Sequence, residues 1–319
     1  MAPDISTCSS CDHRSVSSMC KFARCPRMYF WYKQLRLSKP SAVRDLAMRF
    51  GSAIHAGAPW TNRDNLDFDR ADAEFQKEWL DGDDYEDKKR NTRVGRRILL
   101  ELVGLHKGEF YPRVVEPEVK SFIRKGETGP HEVTFDIDVG LPSGKPITGR
   151  IDALGQGPTG GTVIEYKTAS QMWGSFQRMW EISPQLETYV LAMDVSGFSD
   201  YRNTLLEGIL VAAGKTDFTL VPGVVSDEQL DACLAWWKWS DARLAHCEET
   251  SPDSPDGWPM ERSACTPYPQ YGLQGFVCDY QPLCLAVDRW PGLLGLFEQA
   301  PLEEPTDVET ETTAIIEQP

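Results

Sequence analysis

The sequence has no run of 18 apolar residues, so no membrane-spanning helix is expected. Its opening, Met1-Ala2-Pro3-Asp4-Ile5-Ser6, has neither a basic start nor an apolar core, so neither a signal peptide nor a transit peptide is expected. No lysine or arginine occurs after Glu298, and no aromatic residue after Pro301, so residues 301–319 read as an acidic disordered tail. Cys8-Ser9-Ser10-Cys11, followed by His13, lacks the second tidy cysteine pair that such a zinc site needs. Residues 1–14 are therefore either a flexible tail or an ancillary metal site.

What is present is a chain of 319 residues, 41% hydrophobic and 25% charged, ordinary for a globular protein with a sizeable core. We expect a single large domain over residues 15–300. The net charge of −15 would argue against a nucleic-acid partner if it were evenly spread. It is not: residues 298–319 carry −7 and residues 64–87 carry −9, which leaves the remainder at +1 and permits a local basic groove. Nine cysteines, an odd number in a chain with no expected secretion signal, favour metal or cluster ligation over disulfides.

The most informative stretch runs Thr148-Gly149-Arg150-Ile151-Asp152-Ala153-Leu154, then Thr162-Val163-Ile164-Glu165-Tyr166-Lys167-Thr168-Ala169. Two β-prone runs around a Gly-rich segment, residues 155–161, predict an antiparallel hairpin whose side chains alternate between faces. Glu165 and Lys167 then share a face, and Asp152 on the neighbouring strand would bring a second carboxylate within about 5–8 Å. Hydrolysis of a phosphodiester needs this chemistry: oxygen ligands for Mg²⁺ or Mn²⁺, an activated water, and a cation beside the developing negative charge. Asp152 and Glu165, with the Tyr166 carbonyl, are candidate metal ligands, and Lys167 would orient the water or stabilise charge. The competing reading is a solvated hairpin face.

Elsewhere, Ser17 reads as a helix N-cap before Met19 and Phe22, and Pro26 starts an aromatic-rich helix. Residues 42–57 read as a helix, the acidic block as amphipathic helix, and 91–110 as a helix with Arg93, Arg96 and Arg97 on a basic edge that could meet phosphates or solvent. Val114–Ile123, carrying Glu116 and Glu118, and Glu132–Val139 read as strands. Trp173, Phe176 and Trp180 could stack on bases or pack in the core. A helix starts at Pro184 and sets Gln185 and Tyr189 on one face. Two strands lie between Leu205 and Val221, an amphipathic helix spans Ser226–Cys247, and a Pro/Asp linker spans Pro252–Pro259. Cys233 and Cys247 are assigned to core or surface.

The N-terminal pattern Ser15-x-Ser17-x-Met19-x-x-Phe22-x-x-Cys25-Pro26-Arg27-x-Tyr29 resembles the opening of the RecB/AddB-like branch of the PD-(D/E)xK nucleases. The resemblance continues in order through Gly51-Ser52-Ala53-Ile54-His55, Asp152, Glu165-x-Lys167 and Gln185-x-x-x-Tyr189, and covers roughly residues 15–285. The resemblance implies a restriction-endonuclease-like α/β core, a central mixed sheet flanked by helices. It makes His55 a third metal ligand, sound chemistry for an imidazole beside two carboxylates. Gln185 and Tyr189 would meet DNA near the site. A lone histidine, a buried thiol at Cys25, or a chance Gln and Tyr are the plainer readings of each mark alone.

The same resemblance makes Cys25, Cys265, Cys278 and Cys284 ligands of a [4Fe-4S] iron–sulfur cluster joining the N- and C-terminal cysteine segments. The twelve residues between Cys265 and Cys278 depart from the commonest form, which has two, so Cys8, Cys11 or Cys20 could take the place of Cys265. Zinc on the same thiolates is the structural competitor. Closing a loop of about 240 residues, the cluster would act as a staple, removing unfolded-state entropy. The function implied is a metal-dependent deoxyribonuclease, an exonuclease on DNA ends or single strands in recombination or repair. Its setting would be the cytoplasm of a bacterial or phage-infected cell, and the acidic tail could dock a recombinase, annealing or single-strand-binding protein. An endonuclease for branched DNA and an inactive DNA- or partner-binding scaffold are the alternatives.

Overall fold

The computed structural model describes residues 12–38, 46–62, 66–79, 89–108, 111–115, 123–125, 132–169, 183–212, 215–261 and 278–299. Strand β1 (Arg14–Ser15) leads directly into α1 (Val16–Arg24). The helix is capped at Ser15 rather than at Ser17, so it starts two residues earlier than expected. Met19 and Phe22 fall on its buried face as the spacing requires. Pro26 opens α2 (Pro26–Tyr29), where its missing N–H costs nothing, and a π-helical turn (Phe30–Gln34) leads to β2 (Leu37–Ser38).

Helices α3 (Leu46–Gly57), α4 (Phe68–Glu78) and α5 (Thr92–His106) form one layer. Asp67 and Asn91 cap the second and third with side-chain oxygens. Then come β3 (Arg113–Val115), β4 (Ile123–Lys125), β5 (Val133–Ile137), β6 (Ile147–Ile151), β7 (Ala153–Gly157) and β8 (Gly160–Ala169). Helix α6 (Pro184–Val195), β9 (Asn203–Val211), β10 (Thr216–Val224) and α7 (Asp227–Thr250) follow. Ser226 and Gln229 close a reciprocal capping box on α7. A short α8 (Gln281–Leu285) and β11 (Glu298–Gln299) finish the described chain.

The expected single central sheet is divided in two, both mixed. One has the order β1-β6-β5-β4, with β1 parallel to β6; the other is β10-β9-β8-β7-β3, with β8 parallel to β9. The chain passes from the first sheet to the second at one residue, Asp152, which breaks the expected strand Thr148–Leu154 into β6 and β7. The hairpin turn is also tighter than predicted: β7 pairs with β8 out to Gly157 and Gly160, leaving only Pro158 and Thr159 between them. Gly160 has φ +116°, backbone that a side chain resists.

Strand β8 separates two apolar cores. Val163, Leu154 and Leu206 face a core shared with α1, α6 and α7, whereas Ile164, Tyr166 and Ile209 face one shared with α3, α4 and α5. Residues 252–259 are no linker. Trp258 is wholly buried, stacked on Tyr29 with ring centroids 5.9 Å apart, and its indole donates to the Ser251 carbonyl. The segment therefore docks where a solvated spacer was expected, because Trp258 supplies more apolar surface than its Pro/Asp neighbours can hold in water. Arg14 is buried too, bonded to Asp241 and Glu248, so the ordered chain reaches into the expected N-terminal tail.

Candidate active site

Because β7 begins only at Ala153, its ladder with β8 stops at the Ala153–Ile164 pair. Beyond it the Tyr166 amide has no β7 carbonyl, and Asp152 Oδ2 accepts its hydrogen at 2.9 Å. One bend thus aims a carboxylate at the strand that carries Glu165 and Lys167. Those two share a face through the period-2 alternation, and the Lys167 ammonium donates to Glu165 Oε1.

Helix α6 brings two more groups to that face. Pro184 at its first position starts the helix, and one turn separates Gln185 from Tyr189. Gln185 Nε2 donates to Glu165 Oε1 at 2.7 Å and also lies 2.7 Å from the Tyr189 hydroxyl. The sixth residue arrives from the other core: His55, on α3, places Nδ1 3.6 Å from Asp152 Oδ2. A methyl on Gly51, one turn earlier, would stand 2.8 Å from Thr168 Oγ1, so glycine there lets α3 lie close against β8. All six side chains named from the sequence meet at one end of β8.

The electrostatics are those of a charge-dense site in which Glu165 is buried while His55, Asp152 and Lys167 keep partial exposure. Burial, and then Asp152, push the Glu165 carboxyl up to about 8, partly offset by Lys167. For Lys167, burial opposes the charge, but Glu165 and Asp152 outweigh it and hold the ammonium above its ordinary range. Burial lowers His55 despite the neighbouring Asp152, so the ring is neutral and a nitrogen lone pair is available at neutral pH.

Among the described residues no group of three His, Cys, Asp or Glu side chains is already arranged to hold a metal ion. The donor set nevertheless fits one. Glu165 Oε2 is fully buried with no hydrogen-bond partner among the described residues, while Oε1 takes both Lys167 and Gln185. A buried carboxyl oxygen left without a partner is costly, and a hard cation held by Glu165, Asp152 and His55 would satisfy it in place of the proton that Glu165 otherwise retains.

The cysteine segments meet. Trp31 donates from Nε1 to Cys284 Sγ at 3.3 Å, and the Glu261 amide donates to Cys25 Sγ at 3.5 Å. Cys278 and Cys284 are raised chiefly by burial, and each also feels Cys25, which places the three thiols in one neighbourhood. Cys265, like Cys8 and Cys11, lies outside the described residues, as do Glu116, Glu118, the 171–182 aromatics and the C-terminal tail. Cys20 lies within electrostatic reach of Cys233 instead. Of the core or surface positions left open for Cys233 and Cys247, both take the core.

On α5, Arg96 pairs with Asp72 at 3.1 Å, and Arg97 bonds the Ala212 carbonyl and Thr216, so both tie α5 to its neighbours. Sequence reasoning also missed a buried polar group behind β8: Glu207, His106, Tyr111 and Thr61. Its signal was legible: Glu207 is a lone acid inside the apolar strand Leu205–Val211, a position that demands internal partners.

No curated protein matches the chain. A solved structure titled "Crystal structure of SSO0001" covers 72% of this chain and 76% of its own at 15% identity and a TM-score of 0.30, too distant to bear on fold or function. Residues 13–284, which include His55, Asp152, Glu165, Lys167, Gln185, Tyr189, Cys25 and Cys284, match the PD-(D/E)XK nuclease superfamily, and the chain belongs to that family.

Proposed function

We propose that this chain is a metal-dependent DNA nuclease that hydrolyses phosphodiesters from DNA ends or single strands, an exonuclease of the kind used in recombination or repair. The observation that carries the reading is the convergence of Asp152, at the β6–β7 break, with Glu165 and Lys167 on β8, His55 and Gln185 reaching in from opposite faces of the sheet. Asp152, Glu165, His55 and the Tyr166 carbonyl would hold Mg²⁺ or Mn²⁺. When bound, the cation polarises the phosphate and makes water nucleophilic at neutral pH. Lys167 holds the attacking water in line and offsets negative charge on the phosphate oxygens. Gln185 keeps Glu165 turned toward Lys167. Tyr189, buried on the same helix face with its hydroxyl 2.7 Å from the Gln185 amide, would support Gln185 from behind and not itself meet the DNA, a contact the sequence had led us to expect.

We assign Cys25, Cys278 and Cys284, with Cys265 as fourth ligand, to a [4Fe-4S] staple. The shared neighbourhood of the three described thiols and the N–H···S bonds at Cys25 and Cys284 support it, since such bonds stabilise thiolate sulfur.

The deciding experiment incubates end-labelled linear DNA and circular single-stranded DNA with the protein in Mn²⁺ or EDTA, beside Lys167→Ala. Loss of label from linear DNA only, abolished by EDTA and by Lys167→Ala, is the expected result. Cutting of the circle would make the enzyme an endonuclease, and activity unchanged in Lys167→Ala would remove the catalytic assignment. Anaerobic purification with absorbance near 400 nm tests the cluster separately.

A further inference from the structure

Behind β8, on the face opposite Glu165 and Lys167, lies the buried group centred on Glu207. Glu207 sits in β9 directly across from Tyr166, in a carboxylate pocket with no exposure. Tyr111 donates to its Oε2 at 2.7 Å, and His106 Nε2 lies 3.1 Å from the same atom. Thr61 Oγ1 is 2.9 Å from His106 Nδ1 and 2.7 Å from the Ala58 carbonyl.

The protons can be counted. A hydroxyl has one hydrogen, and Thr61 spends it on Ala58, so His106 must donate to Thr61 from Nδ1. Its Nε2 then faces a carboxylate, and one proton must lie between them, on the ring or on the acid. The pair is therefore neutral overall, which is why it can sit in an apolar core.

Two links run from this pair to the candidate metal histidine. Thr61 ends the 3-10 turn Ala58–Thr61 that directly continues α3, the helix of His55. A column of rings runs the other way: Tyr111 on His106 at 4.3 Å, His106 on Tyr166 at 6.4 Å, and Tyr166 edge-on to His55 at 6.2 Å.

We infer that Glu207 is a positioning residue for the nuclease site: through His106 and Thr61 it fixes the end of α3, and through Tyr166 it sets the height of His55 over Asp152. The inference rests on the reading of His55 as a metal ligand.

The test measures Mn²⁺ binding by the electron-paramagnetic-resonance signal of the free ion, with the thermal midpoint recorded alongside, for the full chain and four variants. Glu207→Leu should weaken Mn²⁺ binding on the order of 10-fold, in the range seen when outer-shell groups are removed. Glu207→Gln should restore it, because its amide can donate to a neutral His106 while its carbonyl accepts from Tyr111. Tyr111→Phe, which keeps shape and removes one hydrogen bond, should weaken binding by a smaller factor and decides the matter if Glu207→Leu does not fold. Glu207→Leu or Tyr111→Phe with a lowered midpoint and unchanged Mn²⁺ binding would overturn the positioning role. His55→Ala separates the two readings: if it binds Mn²⁺ like the wild type, the metal assignment of His55 has failed and the role of Glu207 falls with it.

Discussion

The Gln185 amide donates to Glu165 Oε1 at 2.7 Å, so a helix in one core sets the orientation of a carboxylate in the sheet. Gln185→Leu removes that donor and leaves Glu165 with more uncompensated burial. Nuclease activity should fall on the order of 10- to 100-fold, the loss expected from one misdirected active-site group. The fold should persist, because Pro184 and the buried side chains Leu186, Tyr189 and Val190 still anchor α6. Steady-state rates with circular dichroism check both parts; normal activity in a folded variant would refute the orienting role.

Gly51 and Thr168 make a second pair. A methyl at 51 would press on Thr168 Oγ1, and crowding of this kind costs roughly 1–3 kcal/mol in a packed interior. Gly51→Ala should lower stability and raise the Mn²⁺ concentration needed for half-maximal rate, because His55 rides on the same helix. Combining it with Thr168→Ala should recover much of the stability, a coupling that a double-mutant cycle in urea would measure.

The pH behaviour follows from Glu165, raised from 4.5 in the unfolded chain to about 8 in the folded one. Between those values the folded state holds a proton that the unfolded state has lost. This group's contribution to stability is thus greatest at low pH and declines as pH rises toward 8. Without added metal, the wild-type thermal midpoint should fall over that window relative to Glu165→Gln. Cation binding must expel the same proton, so Mn²⁺ affinity should rise with pH, by at most about tenfold per unit, and level off near 8. Calorimetry in buffers of different ionisation heat would detect the released proton.

Arg150, two residues before Asp152, is half-exposed, pairs with Glu132 at 3.0 Å, and acts electrostatically on His55, Lys167 and Tyr189. Under the proposed nuclease function it would meet a phosphate flanking the scissile one. Arg150→Gln should raise KM for DNA several-fold with little change in kcat, and reduce the salt dependence of binding by about one charge. Stability should also fall, by about 1–3 kcal/mol, because the Glu132 carboxylate is buried and loses a charged donor. An unchanged salt slope would remove Arg150 from the DNA path.

Much of this was legible beforehand because it is local. Helix starts at Pro26 and Pro184, the alternation that pairs Glu165 with Lys167, and the one-turn spacings Gly51–His55 and Gln185–Tyr189 depend on backbone periods of 2 and 3.6. The early start of α1 at Ser15 and the burial of Trp258 were not, since each depends on partners more than 200 residues away, such as Arg14 on Asp241 and Trp258 on Tyr29.

By itself the sequence determined which chemical groups the protein carries and which of them share a face of one element, because side-chain direction along a helix or strand follows from local geometry. Only the tertiary structure decided that β6 and β7 part at Asp152. That break leaves the Tyr166 amide for a carboxylate and lets groups from two separate cores meet around the end of one strand. The reason is physical: where a ladder stops is set by packing against distant layers, and no period along the chain encodes it.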